Sequence, residues 1–212
     1  MTKKIKEQNE NLKLWLAVEK TKPKFLKKVT VGGRTFSSID PQYQLQKATE
    51  QFGPYGGKWG LKNIEWGETW IDTTLLATLS ATFYTPLGEV ETGNSIKASY
   101  VSAKGRRIVD DEYRKKMITN TLSKELSRLG FNADVFMGKW DDEKYVSEAI
   151  EEEFKDENQD KIDKLLEELK QASTLEEVRE LYSKNKEVAS HIVDRFTKRK
   201  DEIEFPQSKT EK

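Results

Sequence analysis

The chain has 212 residues, 37 Lys+Arg balanced by 37 Asp+Glu, one histidine and no cysteine. The missing cysteines exclude disulfides and thiolate metal sites and fit a reducing compartment, and one histidine excludes a histidine-rich metal centre. No apolar run approaches the roughly 20 residues of a membrane span, and the lysine-rich start has no signal-peptide apolar region, so a cytoplasmic protein is expected.

The zero net charge hides an asymmetry. Residues 1–140 carry 23 Lys+Arg and 15 Asp+Glu, a net +8, and residues 141–212 carry 14 and 22, a net −8. A basic body suits a protein that holds a polyanion, and an acidic tail suits a second task or a merely solvated helical appendage. The length allows one domain with such an appendage.

Residues 5–20 read as a short helix with Leu12, Trp15, Leu16 and Ile5 on one face. The basic run Lys20, Lys22, Lys24, Lys27, Lys28 and Arg34 is punctuated by Pro23 and Gly32-Gly33, so a loop or short strand is expected there. A helix over Pro41–Phe52 follows, with Asp40 as N-cap, Pro41 at the first helical position and Gly53 as the stop. Its apolar set is Leu45, Ala48 and Phe52. Trp59, Leu61, Ile64, Trp66 and Trp70 are scattered through a strand-like stretch. Leu75, Ala77, Leu79, Ala81 and Phe83 then alternate with polar residues at period two, the mark of a half-buried strand. Thr85-Pro86-Leu87-Gly88 is a turn, and Glu89–Tyr100 the returning strand. Asp110–Leu129 reads as a helix with acids in its first turn and Gly130 as its stop. The economical architecture is α+β: an antiparallel β-β-β-α body with N-terminal helices. Past Trp140 the expectation is a small helical unit, with helices over 144–155, 161–172, from a capping box at Thr174-Leu175-Glu176-Glu177, and over 188–203. The expected division is 1–140, 141–205 and a flexible tail over 206–212.

Enzymatic constellations are thin, and the chain reads as a non-enzyme. His191 lies near apolar positions of the acidic unit, where a packing or surface role is the simpler reading, so serine triads lack an obvious base. Asp110-Asp111-Glu112 and Asp141-Asp142-Glu143 admit a divalent-metal nuclease site, but acids at helix N-termini explain them more simply. Gly53-Pro54-Tyr55-Gly56-Gly57-Lys58-Trp59-Gly60 fails as a phosphate loop, because Phe52 and Trp59 stand where glycine and Ser or Thr are needed. No cofactor, metal or nucleotide triphosphate is implied.

The cations of the 110–129 helix are the informative feature. With Arg114 at zero and about 100° per residue, Ile118, Leu122, Leu126 and Leu129 fall near ~40°, ~80°, ~120° and ~60°, the packing stripe. Lys124 and Arg128 fall near ~280° and ~320°, so with Arg114 they share a face adjoining that stripe. Lys115, near ~100°, points into it and needs a groove. Lys104, Arg106 and Arg107 flank Gly105 in the loop just before. Such cations, with nearby aromatics such as Tyr55 and Trp59 to stack bases, have the design of a single-strand binder; a protein-interaction module is the alternative.

The order of Ile39-Asp40-Pro41-Gln42-Tyr43, Ala48-Thr49-Glu50-Gln51-Phe52-Gly53, Trp59, the long hairpin, and Arg114-Lys115 through Thr119, Leu122, Lys124, Leu126 and Gly130 resembles the Rad-fifty-two-like superfamily of single-strand annealing proteins, especially the phage Sak-type members. The resemblance covers residues 12–140. It implies a β-β-β-α body that assembles through neighbouring sheets into rings or helical filaments, with single-stranded DNA in a basic outer groove and its bases displayed for pairing. Carried over by position, Lys115 and Lys124 match groove cations, and Lys104 and Arg106 match basic positions of the preceding loop. The chain departs from the eukaryotic pattern at Tyr43, where an arginine stands, and at Ser123-Lys124, where two cations are adjacent; Arg128 is a nearby substitute. The acidic tail has no counterpart in that core. By analogy with phage recombinases it is expected to meet a host single-strand-binding protein or a partner exonuclease, or to shield the groove.

Overall fold

The computed structural model describes residues 10–205. Ile5 and the tail over 206–212 lie outside them. The chain divides into two compact units between Asp142 and Glu143.

In the first unit a 3-10 turn leads into α1 (Lys13–Val18). Its expected apolar face is rotated: Val18 is buried and Leu14 and Trp15 half-buried, while Leu12 and Leu16 are exposed. The basic run that follows forms a hairpin, β1 (Leu26–Val31) and β2 (Arg34–Ile39). Gly32 and Gly33 both have positive φ, 59° and 81°, and so supply the two-residue turn that matches strand twist. α2 (Pro41–Phe52) starts as its sequence dictates: the Asp40 side chain accepts from the Gln42 amide at 2.9 Å, and Gly53 stops it at φ 91°.

Four antiparallel strands follow in spatial order: β3 (Gly60–Ile71), β4 (Thr74–Thr85), β5 (Gly88–Val101) and β6 (Arg107–Val109). The fold is α+β. The period-two pattern of β4 has its physical meaning here, since Ala77, Leu79, Ala81 and Phe83 are buried and the intervening Thr78 and Ser80 are exposed. Three strands were expected, and β6 is the addition. Its three residues carry no legible alternation, and pairing with Ser99, Tyr100 and Val101 makes them a strand.

α3 (Tyr113–Arg128) packs on this sheet. It starts three residues later than its acids suggested. Glu112 occupies the N-cap without a side-chain cap, and Asp110 instead holds the Glu112 amide at 3.2 Å and Lys116 at 2.8 Å. The buried face is Met117, Thr121, Leu122, Glu125 and Leu126, with Ile118 half-buried, so it extends to the flank on which Lys124 and Arg128 begin. Leu122, Leu126 and Phe131 close a core with Val18, Ala48, Phe52, Trp59 and Phe83. Gly130 ends the helix at φ 97°, and a Cβ there would stand 2.7 Å from the Trp15 ring.

After α3 comes the one-turn α4 (Ala133–Phe136). Asp134 is 1% exposed, and its carboxylate accepts four hydrogen bonds. These come from the Thr21 amide (2.7 Å) and hydroxyl (2.6 Å), the Trp140 indole (2.9 Å) and the Val135 amide (2.9 Å).

In the second unit α5 (Glu143–Glu157), α6 (Gln159–Gln171), α7 (Leu175–Lys184), α8 (Lys186–Ala189) and α9 (Val193–Glu204) surround Ile162, Leu165, Leu169, Val178, Val188, Ile192 and Phe196. The Thr174–Glu177 capping box forms in both directions. The helix expected over 188–203 is broken at Ser190–Ile192, which separates α8 from α9. His191 stacks on Phe154 at 3.8 Å between ring centroids, a packing role.

Removing the Asp134 carboxylate strands buried donors. Asp134→Ala is therefore expected to lower the unfolding free energy by about 3 kcal/mol, read from the urea midpoint. An unshifted midpoint would show that these bonds do not tie the unit together.

Candidate functional site

The expected cations separate into two groups at opposite ends of α3, which are ~15 Å apart along the helix between residues 114 and 124. The first group surrounds the turn between β5 and β6. Ser102 organises this turn: its amide donates to the Arg106 carbonyl at 2.8 Å, and its hydroxyl accepts the Arg106 amide at 3.2 Å. Lys104 and Arg106 project from it exposed, without an ion-pair partner among the described residues. Arg107, on β6, reaches back across the sheet. Its guanidinium donates to the Ser99 hydroxyl at 3.1 Å and lies 5.7 Å from the centre of the Trp70 ring.

Arg114 joins this group from the first turn of α3. Its guanidinium lies 5.1 Å from the Trp66 ring centre and donates to Glu68 at 3.2 Å and to the Tyr113 oxygen at 3.0 Å. The Tyr113 hydroxyl in turn donates to Glu68. That hydroxyl and then the Arg114 guanidinium hold the Glu68 carboxyl below its ordinary value of 4.5. Tyr113 and then Glu68 in turn raise Arg114. One acid thus orients a cation and a phenol on the strand that carries both tryptophans.

The second group lines a groove of about 480 Å³ between α3 and β5. β6 pairs only with the last three residues of β5, so the earlier residues of β5 form an open edge. Thr92 and Asn94 from that edge face Asn120, Thr121, Lys124 and Arg128 from the helix. Glu125, 2% exposed, forms part of the lining and accepts from the Thr92 hydroxyl and the Arg128 guanidinium, both at 2.7 Å. Arg128 is therefore neutralised locally. Lys124 has no ion-pair partner among the described residues. The buried Thr121 hydroxyl oxygen is also unpartnered.

Two sequence expectations fail here. Lys115 enters no groove: its side chain is exposed and pairs with Glu112, three residues earlier, at 3.1 Å. Trp59 cannot stack on a base. It is wholly buried in the core, with its indole N–H donating to the Gly53 carbonyl at 2.6 Å. Tyr55, about half exposed, lies edge-on against Trp59 beside the Gly60 end of β3, away from the turn between β5 and β6. The aromatics that meet the cations are instead Trp66 and Trp70. Their four-residue spacing puts them on one face of a strand, the signal that identifies them. The position that departs from the eukaryotic pattern, Tyr43, is buried and stacked on Phe25 at 4.0 Å.

Among the described residues no group of three His, Asp or Glu side chains could hold a metal ion, and no helix is long and apolar enough to cross a membrane. No family model, curated protein or solved structure matches the chain.

A carboxyl held low stabilises the folded state above pH 4.5, and that contribution is lost as pH falls through the lowered value. Tyr113→Phe is expected to move the Glu68 titration up toward 4.5, followed by carboxyl NMR. An unchanged titration would remove the hydroxyl from this role.

Proposed function

We propose that the first unit binds single-stranded DNA and, without ATP, anneals complementary strands in phage or prophage homologous recombination. The observation that carries this reading is the placement of Lys104, Arg106 and Lys124. All three are cations without an ion-pair partner among the described residues, two in the turn just before α3 and one near its far end. Unneutralised cations spaced in this way suit a phosphate backbone, since each phosphate engaged releases condensed counterions. The Rad-fifty-two-like resemblance supplies the annealing role and its corollaries: a ring or filament of copies in the cytoplasm of a bacterial host, no catalytic chemistry, and an outer basic path that leaves bases available for pairing. In this reading Arg107, Arg114 and Arg128 shape the path, and Lys115 lies beside it on the solvent side.

A second reading, a non-annealing interaction module of a replication or recombination complex, draws on the acidic helical unit. Phe205 and Val193 there are exposed beside many carboxylates. A host single-strand-binding protein or a partner exonuclease is the proposed contact of residues 141–205.

Annealing of fluorescent complementary oligonucleotides without ATP, at two salt concentrations, separates the readings. The parent chain is expected to anneal and to lose affinity steeply with salt. Combined Lys104→Glu, Arg106→Glu and Lys124→Glu is expected to abolish annealing while the thermal melt is retained. The salt slope should fall by about 0.7 for every phosphate that a removed cation had neutralised. Normal annealing by the folded triple variant would remove the assigned path, and absence of binding by the parent would favour the interaction module.

A further inference from the structure

We propose that Trp70 is a base-stacking residue for single-stranded DNA, mounted on a platform that Arg107 and Arg114 build at the amino-terminal end of α3. The inference rests on the single-strand reading and adds to it a contact with the bases themselves.

The register of the sheet places Trp70 opposite Leu75, Leu75 opposite Ser99, and Ser99 opposite Val109, so these four form one row across the helix-bearing face. α3 covers the neighbouring Ala77, Leu79 and Ala81. It leaves Trp70 58% and Val109 66% exposed. A large aromatic surface open to water on an edge strand is costly to keep and a hazard for association. Here it is paired with charge. The Arg107 guanidinium, tethered by Ser99, lies against the Trp70 ring, and four residues back along the strand Arg114 does the same to Trp66. Lys104 and Arg106 stand in the adjoining turn.

Of the acids around the patch, Glu68 is engaged by Arg114 and Tyr113, and Asp110 and Glu112 by Lys116 and Lys115, which leaves Asp72 and Asp111 beside the four cations. The cations at the two rings disfavour a second copy of the same patch, which would bring like charges together. They also disfavour a basic protein. The occupant that satisfies both features carries negative charge at short intervals and flat π surfaces between, which is a nucleic acid strand with unpaired bases. Double-stranded DNA keeps its base faces stacked inside the helix, so the platform favours a single strand. The guanidinium at the Trp70 ring orients it and adds a cation–π contribution to whatever stacks there.

The test compares an oligo-dT strand with an abasic strand of equal length, binding the full chain in the same low-salt buffer. Trp70→Ala is expected to weaken oligo-dT binding roughly 5- to 150-fold and to leave the abasic strand unaffected, while Trp70→Phe, which can still stack, retains most of the affinity. Trp70→Thr, a good strand former, carries the same expectation should alanine disturb the edge strand. Unchanged oligo-dT binding by the alanine and threonine variants would overturn the proposal. So would equal losses on both strands, which would mark a phosphate or folding effect. If the parent chain binds neither strand, the single-strand reading itself fails, an outcome distinct from parental binding that ignores Trp70.

Discussion

The buried carboxylate of Asp134 is the tie on which the first unit depends. It joins the segment after α1 to the turn after α3, two stretches 113 residues apart at Thr21. A charge removed from water must find compensation, and four donors supply it. Lys47 sits close by, donating to the Val18 and Lys20 carbonyls at 2.8 and 2.7 Å. Burial pulls its ammonium below its usual value, and Asp134 works against that pull. Further bonds join the same segments: the Asn132 amide donates to the Val18 carbonyl and the Asn132 side chain to the Thr21 hydroxyl. Together they hold Val18 and Phe131 in the core that α3 completes.

With the turn after it held in this way, α3 lies along β5. That orientation sorts its cations by what each can reach. Arg114 meets an acid and an aromatic on β3, Lys115 and Lys116 meet acids just before the helix, and Arg128 meets buried Glu125. The exposed pairs among these add little stability, but every pair takes a positive charge out of the far field. Of the helix cations Lys124 keeps no ion-pair partner among the described residues, and neither do Lys104 and Arg106 in the turn between β5 and β6. The resulting polarity is a property of pairing, not of composition, since the count of cations on the helix alone would suggest a far more basic surface.

The sheet contributes through its incompleteness. β6 is short, so most of β5 presents an open edge beside α3, and at the two edges of the sheet Trp70 and Val109 stay exposed. The groove and the tryptophan platform both arise where one element ends before its neighbour does. Sites built this way stand on rigid strands and still leave polar and aromatic groups open.

Much of the fold was legible in local sequence, because the governing interactions are local. Asp40, Pro41 and Gly53 bound α2 by satisfying or terminating backbone groups within one turn, and Thr174 with Glu177 does the same for α7. The alternation from Leu75 to Phe83 declares a strand with one buried face, and the glycine at 130 stops α3. The helical angle also placed Lys124 and Arg128 on one flank. Sequence could not say which tryptophan is buried, because Trp59 and Trp70 carry the same chemistry and differ only in whether a helix lies over them. Nor could it place Arg107 on a strand, since that outcome depends on pairing with Ser99–Val101. Residue chemistry and periodicity determined the elements and their faces; only packing decided which aromatics Arg107 and Arg114 meet and that Lys124 lines a groove, because those contacts join residues distant in the chain.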